Sequence, residues 1–337
     1  MAIPNPKWDE AGPQVILKSD FQDIEQAILG QPLVRMQPSL IYVGVATIRV
    51  EATADCPAET ALTGMPNIMN PVCQVSGGLS DGKTRSISAN VSCIVPDNIW
   101  GDEQSSQWYA VFAIAGDDDT AFTLKAMPFM RVKSQTGQAI KCGTLVDPSA
   151  GLDYGFTEDE FVGGLLYFLT GDSRGLMRSI SANDVDTDTR ITYTGDALIV
   201  AQDDWFIILP PTNFRLIGTF LNNAAGNIRN FSKQGHVVDY IDLSYATNPA
   251  DEVVEDILLC CPLATRCIVK IIPGGAIFRL FGHPDSTTPL ATTDSNYTVL
   301  AQGSVTFPVR FCTFTTYQSD GCNIYAVGHE YPAGMGF

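Results

Sequence analysis

The segment RLIGTFLNNAAGNIRNFSKQGHVVDY, residues 215–240, shows the pattern that recurs along the whole chain. Short apolar runs flank a polar stretch that contains Asn222, Asn223 and Gly226. Short runs rich in aliphatic and aromatic side chains, separated by Asn and Gly, are typical of β-strands joined by turns. The segment therefore predicts strands, and nothing in it resembles a catalytic motif.

The same pattern continues on both sides of this segment. LIYVGVATIRV (40–50) and QWYAVFAIA (107–115) have the length and composition of strands, and RSISANVSCIV (85–95) alternates polar and apolar residues so that one face is apolar. From residue 163 onward, turn residues arrive about every ten positions until Pro210 and Pro211. The sequence predicts an all-β protein of antiparallel, jelly-roll-like β-sandwich domains.

One helix is predicted, near the N-terminus. Ser19 can cap it, Phe21, Ile24 and Ile28 recur at helical spacing, and Gly30 can end it. An apolar face of three residues is too small to stand alone. We therefore expect Phe21, Ile24 and Ile28 to contact a neighbouring subunit or another protein, in oligomerisation or attachment.

The domain boundaries follow from these patterns and from the length of 337 residues, which suits two or three domains of roughly 100–200 residues. Residues 1–35 are predicted to form an N-terminal arm and helix. Residues 36–162 together with 212–245 form a β-sandwich domain, residues 163–211 a small antiparallel β-unit inserted in it, and residues 246–337 a C-terminal β-sandwich domain.

The charge of the chain limits its partners. The net charge is −17, and a field of that sign repels nucleic acid. No apolar run reaches the roughly 18 residues that a membrane-spanning helix needs, so no membrane insertion is expected. Residues 1–14 lack a basic and then apolar signal pattern, which predicts synthesis in a cytoplasm without a standard export signal.

Nine cysteines are present, with no CxxC pair and only three histidines, so the sequence does not favour a zinc site. We interpret most of the cysteines as small buried hydrophobic residues. The alternative is a set of disulfides, for which Cys260 or Cys261 with Cys267 is the best-placed pair. An odd count then leaves at least one thiol free or paired between chains.

The acidic turn NDVDTDT places Asp184, Asp186 and Asp188 at alternate positions, as in calcium loops. An EF-hand loop also needs Gly at its sixth position and Glu at its twelfth, where Thr189 and Gly195 stand. We interpret the run as a solvated hairpin turn, and we predict no metal site and no cofactor.

A carboxylate pair for sugar hydrolysis is the other chemistry that the acidic residues suggest, at Glu158, Asp159 and Glu160. A solvated acidic loop is the simpler interpretation. The three histidines are far apart in the sequence, and no nucleophile motif such as G-x-S-x-G accompanies them. We therefore expect no catalytic residues and no enzymatic activity.

The strand QWYAVFAIA with the turn GDDDT, followed downstream by the segment quoted first, resembles a module of virion proteins from tailed bacteriophages, found in fibre, tail and head-surface proteins. The resemblance covers residues 100–242, with residues 163–211 as an insert, and the last 90 residues or so share only the strand pattern. The residues that carry it are Trp108, Tyr109, Arg215, Ile217, Gly218, Ile228, Phe231, Gln234 and Gly235.

This resemblance implies a non-enzymatic structural protein exposed on the virion and assembled in the host cytoplasm. A tail or fibre component, or a receptor-binding module, is the first expectation. A head decoration protein or a neck or collar protein is the alternative. A second alternative is a glycan-binding or glycan-cleaving tip, in which Trp8, Trp100 and Trp205 stack on sugar rings.

The expected partners are other copies of the chain, other phage virion proteins and, for a tip, a host surface glycan. Only 17% of the residues are charged and 45% are hydrophobic, which suggests more apolar surface than one subunit buries. Numerous sheet edges also need covering. We expect a homo-oligomer, and the resemblance favours a trimer.

Overall fold

The structure, a computed structural model, describes residues 40–52, 59–61, 84–87, 89–115, 121–144, 147–184, 187–212, 214–234, 237–240, 246–247, 254–256, 261–264, 266–272, 278–280, 291–293, 299–304, 310–313 and 323–331. All regular elements in these ranges are β-strands, and their ladders are antiparallel, which confirms the predicted all-β class. The predicted helix with Phe21, Ile24 and Ile28 lies outside the described residues. The described ranges hold no helix with the length and apolarity needed to cross a bilayer.

The strands run in chain order as follows: β1 (Leu40–Gly44), β2 (Thr47–Val50), β3 (Glu59–Ala61), β4 (Thr84–Ser86), β5 (Val91–Ile94), β6 (Trp108–Ala115), β7 (Phe122–Pro128), β8 (Met130–Thr136), β9 (Ala139–Gly143), β10 (Leu165–Phe168), β11 (Met177–Asp184), β12 (Arg190–Tyr193), β13 (Trp205–Leu209), β14 (Phe214–Leu221), β15 (Phe231–Gln234), β16 (Val237–Tyr240), β17 (Ala246–Thr247), β18 (Val254–Asp256), β19 (Arg266–Ile272), β20 (Phe278–Leu280), β21 (Ala291–Thr293), β22 (Val299–Ser304), β23 (Arg310–Thr313) and β24 (Asn323–Glu330).

The centre of the fold is the three-stranded sheet β14-β6-β7. Strand β6 lies in the middle, and its register with β14 pairs Trp108 with Leu221 and Tyr109 with Phe220. Every residue of β14 is buried. Two segments separated by about a hundred residues of sequence therefore form one ladder in the core.

A second sheet, β1-β2-β5, packs against this centre. The side chain of Leu40 covers Gly218, where an added Cβ would lie 3.0 Å from Leu40 Cδ2, so glycine permits the close approach. Residues 40–50 were predicted as one strand, but they form the hairpin β1–β2. Residues 85–95 are likewise divided between β4 and β5. Period-two patterns continue across a tight turn, so composition alone does not locate the turn.

Residues 130–209 form a closed six-stranded barrel, in the order β10-β11-β12-β9-β8-β13, with β13 and β10 paired. The predicted insert, 163–211, contains four of these strands. The other two are β8 and β9, which were assigned to the preceding domain and contribute the fully buried Val132, Ile140 and Cys142. This unit is a barrel rather than a sandwich, because the pairing of β13 with both β8 and β10 leaves no free edge.

The barrel shares its hydrophobic core with the central sheet. Trp100 packs edge-on against Phe112 of β6, with ring centroids 6.2 Å apart, and against Phe161 of the loop between β9 and β10, at 6.4 Å. Phe156 then contacts Phe161 at 4.8 Å. The predicted insert is therefore packed into the rest of the protein through an aromatic cluster.

The C-terminal strands form a larger sheet, β15-β16-β24-β19-β22, in which β17 also pairs with β24. Strands β15 and β16 precede residue 246, where the sequence placed a domain boundary, yet β16 pairs directly with β24. Three small ladders, β3-β4, β18-β23 and β20-β21, complete the described strands. A jelly-roll-like sandwich of the sheets outside the barrel stays a prediction.

Candidate functional site

The cysteines of the described ranges serve packing. Cys93, Cys142 and Cys261 are buried free thiols, which confirms the interpretation as small hydrophobic residues for these three. Burial raises the pKa of the Cys93 and Cys261 thiols to about 12 and that of Cys142 well above its ordinary value. The thiolate is the nucleophilic and metal-binding form, so these thiols are inert at neutral pH.

The disulfide between Cys261 and Cys267 is not formed in the structure, because Cys261 is a free thiol. Its Sγ lies 3.3 Å from Thr219 Oγ1 and accepts a hydrogen bond from the backbone amide of Leu263 at 3.4 Å. The backbone of Cys267 belongs to β19, and its side chain lies outside the described part of the chain.

A buried polar cluster joins the central sheet to the C-terminal sheet. Thr219 Oγ1, on β14, lies 2.6 Å from the hydroxyl of Tyr331 and also contacts Cys261. Tyr331 follows β24 directly and is fully buried. Buried hydroxyls need partners, so this cluster fixes how β14 and the end of β24 pack. The sequence did not indicate it, because Thr219 stands in an apolar run 112 residues before Tyr331.

His329 of β24 lies beside this cluster and is completely buried. Its Nδ1 atom is 2.9 Å from the Tyr240 hydroxyl, and its ring packs edge-on against Trp108 at 5.7 Å and against Tyr331 at 4.8 Å. Its Nε2 atom has no hydrogen-bond partner among the described residues. Burial, with a smaller effect from Lys233, lowers the pKa of His329 to about 3. The imidazole is therefore neutral and structural at physiological pH.

We expect His329 to make the protein sensitive to mild acid. Its pKa of about 3 in the folded state lies below the ordinary 6.5, so the unfolded chain binds the proton first. The stabilisation is complete above pH 6.5 and decreases as the pH falls toward 3, by up to about 1.4 kcal/mol for each pH unit. Urea unfolding at pH 7 and pH 4 measures it.

The matched control for this experiment is His329→Phe, which keeps a buried ring and removes the titration. All other titrating groups are present in both proteins, so they cancel in the difference between them. The wild type should lose about 3 kcal/mol more than the variant between pH 6.5 and pH 4. Parallel losses in the two proteins would contradict a buried neutral imidazole.

The tryptophans of the described ranges are core residues. Trp108 and Trp205 are buried, as their apolar strands predicted, and Trp100 is only 6% exposed. Lys125 Nζ lies 4.6 Å from the Trp100 ring centroid and the Arg131 guanidinium 5.4 Å from that of Trp205. The expectation that Trp100 and Trp205 stack on sugars at the surface is therefore wrong, and Trp8 lies outside the described residues.

The acidic turn near Asp188 is also structural. Asp188 is buried, and its Oδ2 lies 2.9 Å from Lys133 Nζ and 3.8 Å from Lys141 Nζ, on neighbouring barrel strands. Asp184 pairs with Arg190. The prediction of a solvated turn is wrong for Asp188, whose carboxylate closes this end of the barrel, and Asp186 lies outside the described residues.

The other acidic candidates are at the surface. Glu158 and Asp159 are exposed, and Glu160 Oε1 lies 3.6 Å from Lys125 Nζ. The described ranges contain no group of three or more His, Cys, Asp or Glu placed to hold a metal ion. His236 and His283 lie outside these ranges.

The barrel presents a second arrangement of functional interest, which we name the distal end. It consists of the loops 137–138, 169–176 and 194–204, which join β8 to β9, β10 to β11 and β12 to β13. These strands alternate in direction, so the three loops lie at one end. The chain enters the barrel at Met130 and leaves it at Leu209, at the other end.

Side chains bond the distal loops to one another. Gln135 Nε2 is within hydrogen-bonding distance of the carbonyl oxygens of Gly137 and Leu198 and of the Tyr193 hydroxyl, at 2.9, 3.0 and 2.9 Å. Ser173 Oγ donates to the carbonyl of Ile199 at 2.8 Å. Each distal loop is therefore tied to at least one other part of the distal end.

The base of the distal end is fixed by Asp204. Its carboxylate accepts hydrogen bonds from Thr170 Oγ1 at 3.1 Å and from the Ala201 amide at 2.8 Å. Burial raises the pKa of Asp204 above its ordinary value, and the nearby Asp172 and Asp203 add to the rise. The sequence marked these positions only as turn residues.

Comparisons with protein-family models, with curated proteins and with solved structures found no match for this chain.

Proposed function

We propose that this chain is a non-enzymatic structural protein exposed on the virion of a tailed bacteriophage. One observation carries the proposal. The two segments that resemble virion modules, Trp108–Ala115 and Phe214–Leu221, are paired strands at the centre of the fold. A resemblance that is split in the sequence by the barrel thus corresponds to one structural unit, in which Tyr109 stacks on Phe220 with ring centroids 5.0 Å apart.

The chemistry of the described residues supports a structural role over a catalytic one. Catalytic groups commonly have a pKa shifted toward the working pH. Burial shifts the pKa of the Cys93, Cys261 and His329 side chains in the opposite sense, so the thiols stay protonated and the imidazole stays neutral. These side chains contribute packing and hydrogen bonds to the core.

Within the particle, a tail or fibre component or a receptor-binding module is the first assignment, and a head decoration or collar protein is the alternative. A glycan-binding or glycan-cleaving tip ranks below both. Stacking on sugar rings needs exposed aromatic faces, and Trp100 and Trp205 are buried. The assignment follows the resemblance, and location is decided by an electron cryomicroscopy map of the particle.

The protein inventory of purified particles tests the virion proposal. Mass spectrometry of phage particles purified from infected cells should detect the chain at a stoichiometry of several copies per particle. Presence in infected cells together with absence from purified particles would exclude the proposal. Reducing-sugar release by the isolated protein would instead favour the glycan-cleaving alternative.

We also propose that the chain is a homo-oligomer, with a trimer as the favoured state, in which residues 1–30 contact a neighbour or the particle. Light scattering at micromolar concentration should give the mass of an oligomer. Deletion of residues 1–30 should weaken attachment and leave the described strands folded, as judged by circular dichroism. A folded monomer would exclude the oligomer, and a dimer or hexamer would replace the trimer.

A further inference from the structure

We propose that the distal end of the barrel is a docking surface for a protein partner that presents aliphatic side chains bordered by Lys or Arg. The inference goes beyond the virion role and does not depend on it. It rests on three properties of the distal end: exposed aliphatic residues, loops held in one conformation, and an excess of negative charge.

Aliphatic residues are unusually exposed at the distal end. Ile199 is 71% exposed, the highest value among the large hydrophobic residues of the described ranges, and Leu176 is 42% exposed. Ala197 and Ala201, on either side of Ile199, are exposed as well. The bond from Ser173 Oγ to the Ile199 carbonyl ties the loop that carries Leu176 to the segment that carries the other three. Grouped exposed apolar residues mark interaction sites more often than single ones.

The conformation of these loops is fixed before any partner binds. Leu198 is buried between the exposed Ala197 and Ile199, and its amide donates to the Tyr193 hydroxyl at 3.0 Å. Arg178 Nε donates to the carbonyl of Asp196 at 3.0 Å, and Gln138 bonds the carbonyl of Gly195. Loops ordered in advance lose little conformational entropy on binding, which raises affinity for a given contact area.

The charge around the aliphatic residues selects the type of partner. The segments 169–178 and 194–204 contain four aspartates and two arginines, so their net charge is negative. Asp172 and Asp196 are exposed beside Leu176 and Ile199. The chain as a whole has a net charge of −17, which attracts a basic partner at long range. A second copy of this chain would bring like charges together, so it fits less well.

A glycan fits this surface less well than a protein. Sugar rings stack on exposed aromatic faces. The aromatic residues nearest the distal end are Tyr167, Tyr193 and Trp205, and all three are buried. Aliphatic side chains instead match the apolar contacts of a protein interface, with the aspartates forming a charged rim.

The test uses the full chain and three short synthetic peptides of equal length, measured by fluorescence anisotropy. One peptide alternates Leu and Lys, the second alternates Leu and Glu, and the third alternates Ser and Lys. We expect the Leu/Lys peptide to bind most tightly and its binding to weaken as salt is raised. Binding of the Leu/Glu peptide with equal affinity, or no binding of the Leu/Lys peptide at about 1 mM, would overturn the proposal.

Two variants and two matched controls locate the binding. Ile199→Ser should weaken Leu/Lys binding about tenfold, and Asp172→Arg should weaken it and reduce its salt dependence. Val162→Ser and Glu158→Arg change exposed residues in the loop between β9 and β10, at the other end of the barrel, and should leave binding unchanged. All four positions are exposed, so the thermal midpoints should stay close to that of the wild type.

The remaining outcomes also decide the proposal. Equal loss of binding in the variants and the controls would show that the peptide does not bind at the distal end. Sedimentation of the wild type and of Ile199→Ser tests the second copy as occupant. Self-association that disappears only in Ile199→Ser would assign the surface to contacts between copies and overturn the proposed partner. An unchanged sedimentation profile with weakened peptide binding supports it.

Discussion

Replacement of Trp108 by alanine is expected to lower the free energy of unfolding by about 4 kcal/mol. The indole is completely buried, lies edge-on to His329 and packs at 6.2 Å from the Tyr240 ring. Truncation therefore removes apolar contacts and leaves a cavity where the central sheet meets the C-terminal sheet. A loss of this size is a large part of the roughly 5–15 kcal/mol that stabilises a typical domain.

Urea unfolding followed by far-ultraviolet circular dichroism measures this effect without relying on tryptophan fluorescence. Trp108→Phe is the graded control, because a smaller ring keeps part of the packing and should lose less. Ile199→Ala removes apolar atoms at the surface and should change the free energy of unfolding by less than about 0.5 kcal/mol. Equal unfolding midpoints for Trp108→Ala and Ile199→Ala would contradict a core position for Trp108.

Replacement of Gly101 by alanine is the second large expected effect, with a loss of about 3 to 4 kcal/mol. Gly101 has a φ of +74°, a region that costs other residues roughly 1–2 kcal/mol. An added Cβ would also lie 2.1 Å from the carbonyl oxygen of Tyr154. That same oxygen accepts the amide of Asp102 at 2.7 Å, so the backbone cannot move away without losing a hydrogen bond.

Gly137→Ala is the matched control for this variant. Gly137 also has a positive φ, +59°, but no atom lies within 4 Å of its added Cβ. It should therefore lose only the conformational part, about 1 kcal/mol. The difference between the two variants, about 2 kcal/mol or more, measures how tightly the loop at Tyr154 packs against the segment at Gly101. Equal losses would show that this contact is not rigid.

The local sequence predicted most strands of the centre correctly. Residues 107–115 were expected to form a strand and form β6, and residues 203–211 contain β13. In these segments almost every residue is apolar and flanked by turn residues, so a buried strand is the only conformation that satisfies both the side chains and the backbone. The predictions were less exact at 85–95, where Ala89 is exposed in a bend between β4 and β5.

The candidate sites were harder to predict. The exposed Trp100 and the solvated Asp188 of the sequence analysis are both buried in the structure. Trp100 is covered by Phe112 and Phe161, which come from different parts of the chain, and Asp188 is held by Lys133 on a strand 55 residues earlier. The exposure of a side chain depends on such distant neighbours. For the same reason the distal end, with Leu176 and Ile199, had no signal beyond turn residues.

The sequence by itself determined that this protein is built from antiparallel strands, because apolar alternation and turn chemistry are local properties of each segment. Only the tertiary structure decided which strands pair. Many similar apolar strands can satisfy one another's backbone groups, so the choice depends on side-chain packing between distant segments. That packing closes β8 and β13 into the barrel, places β14 beside β6, and buries His329 against Trp108 and Tyr240.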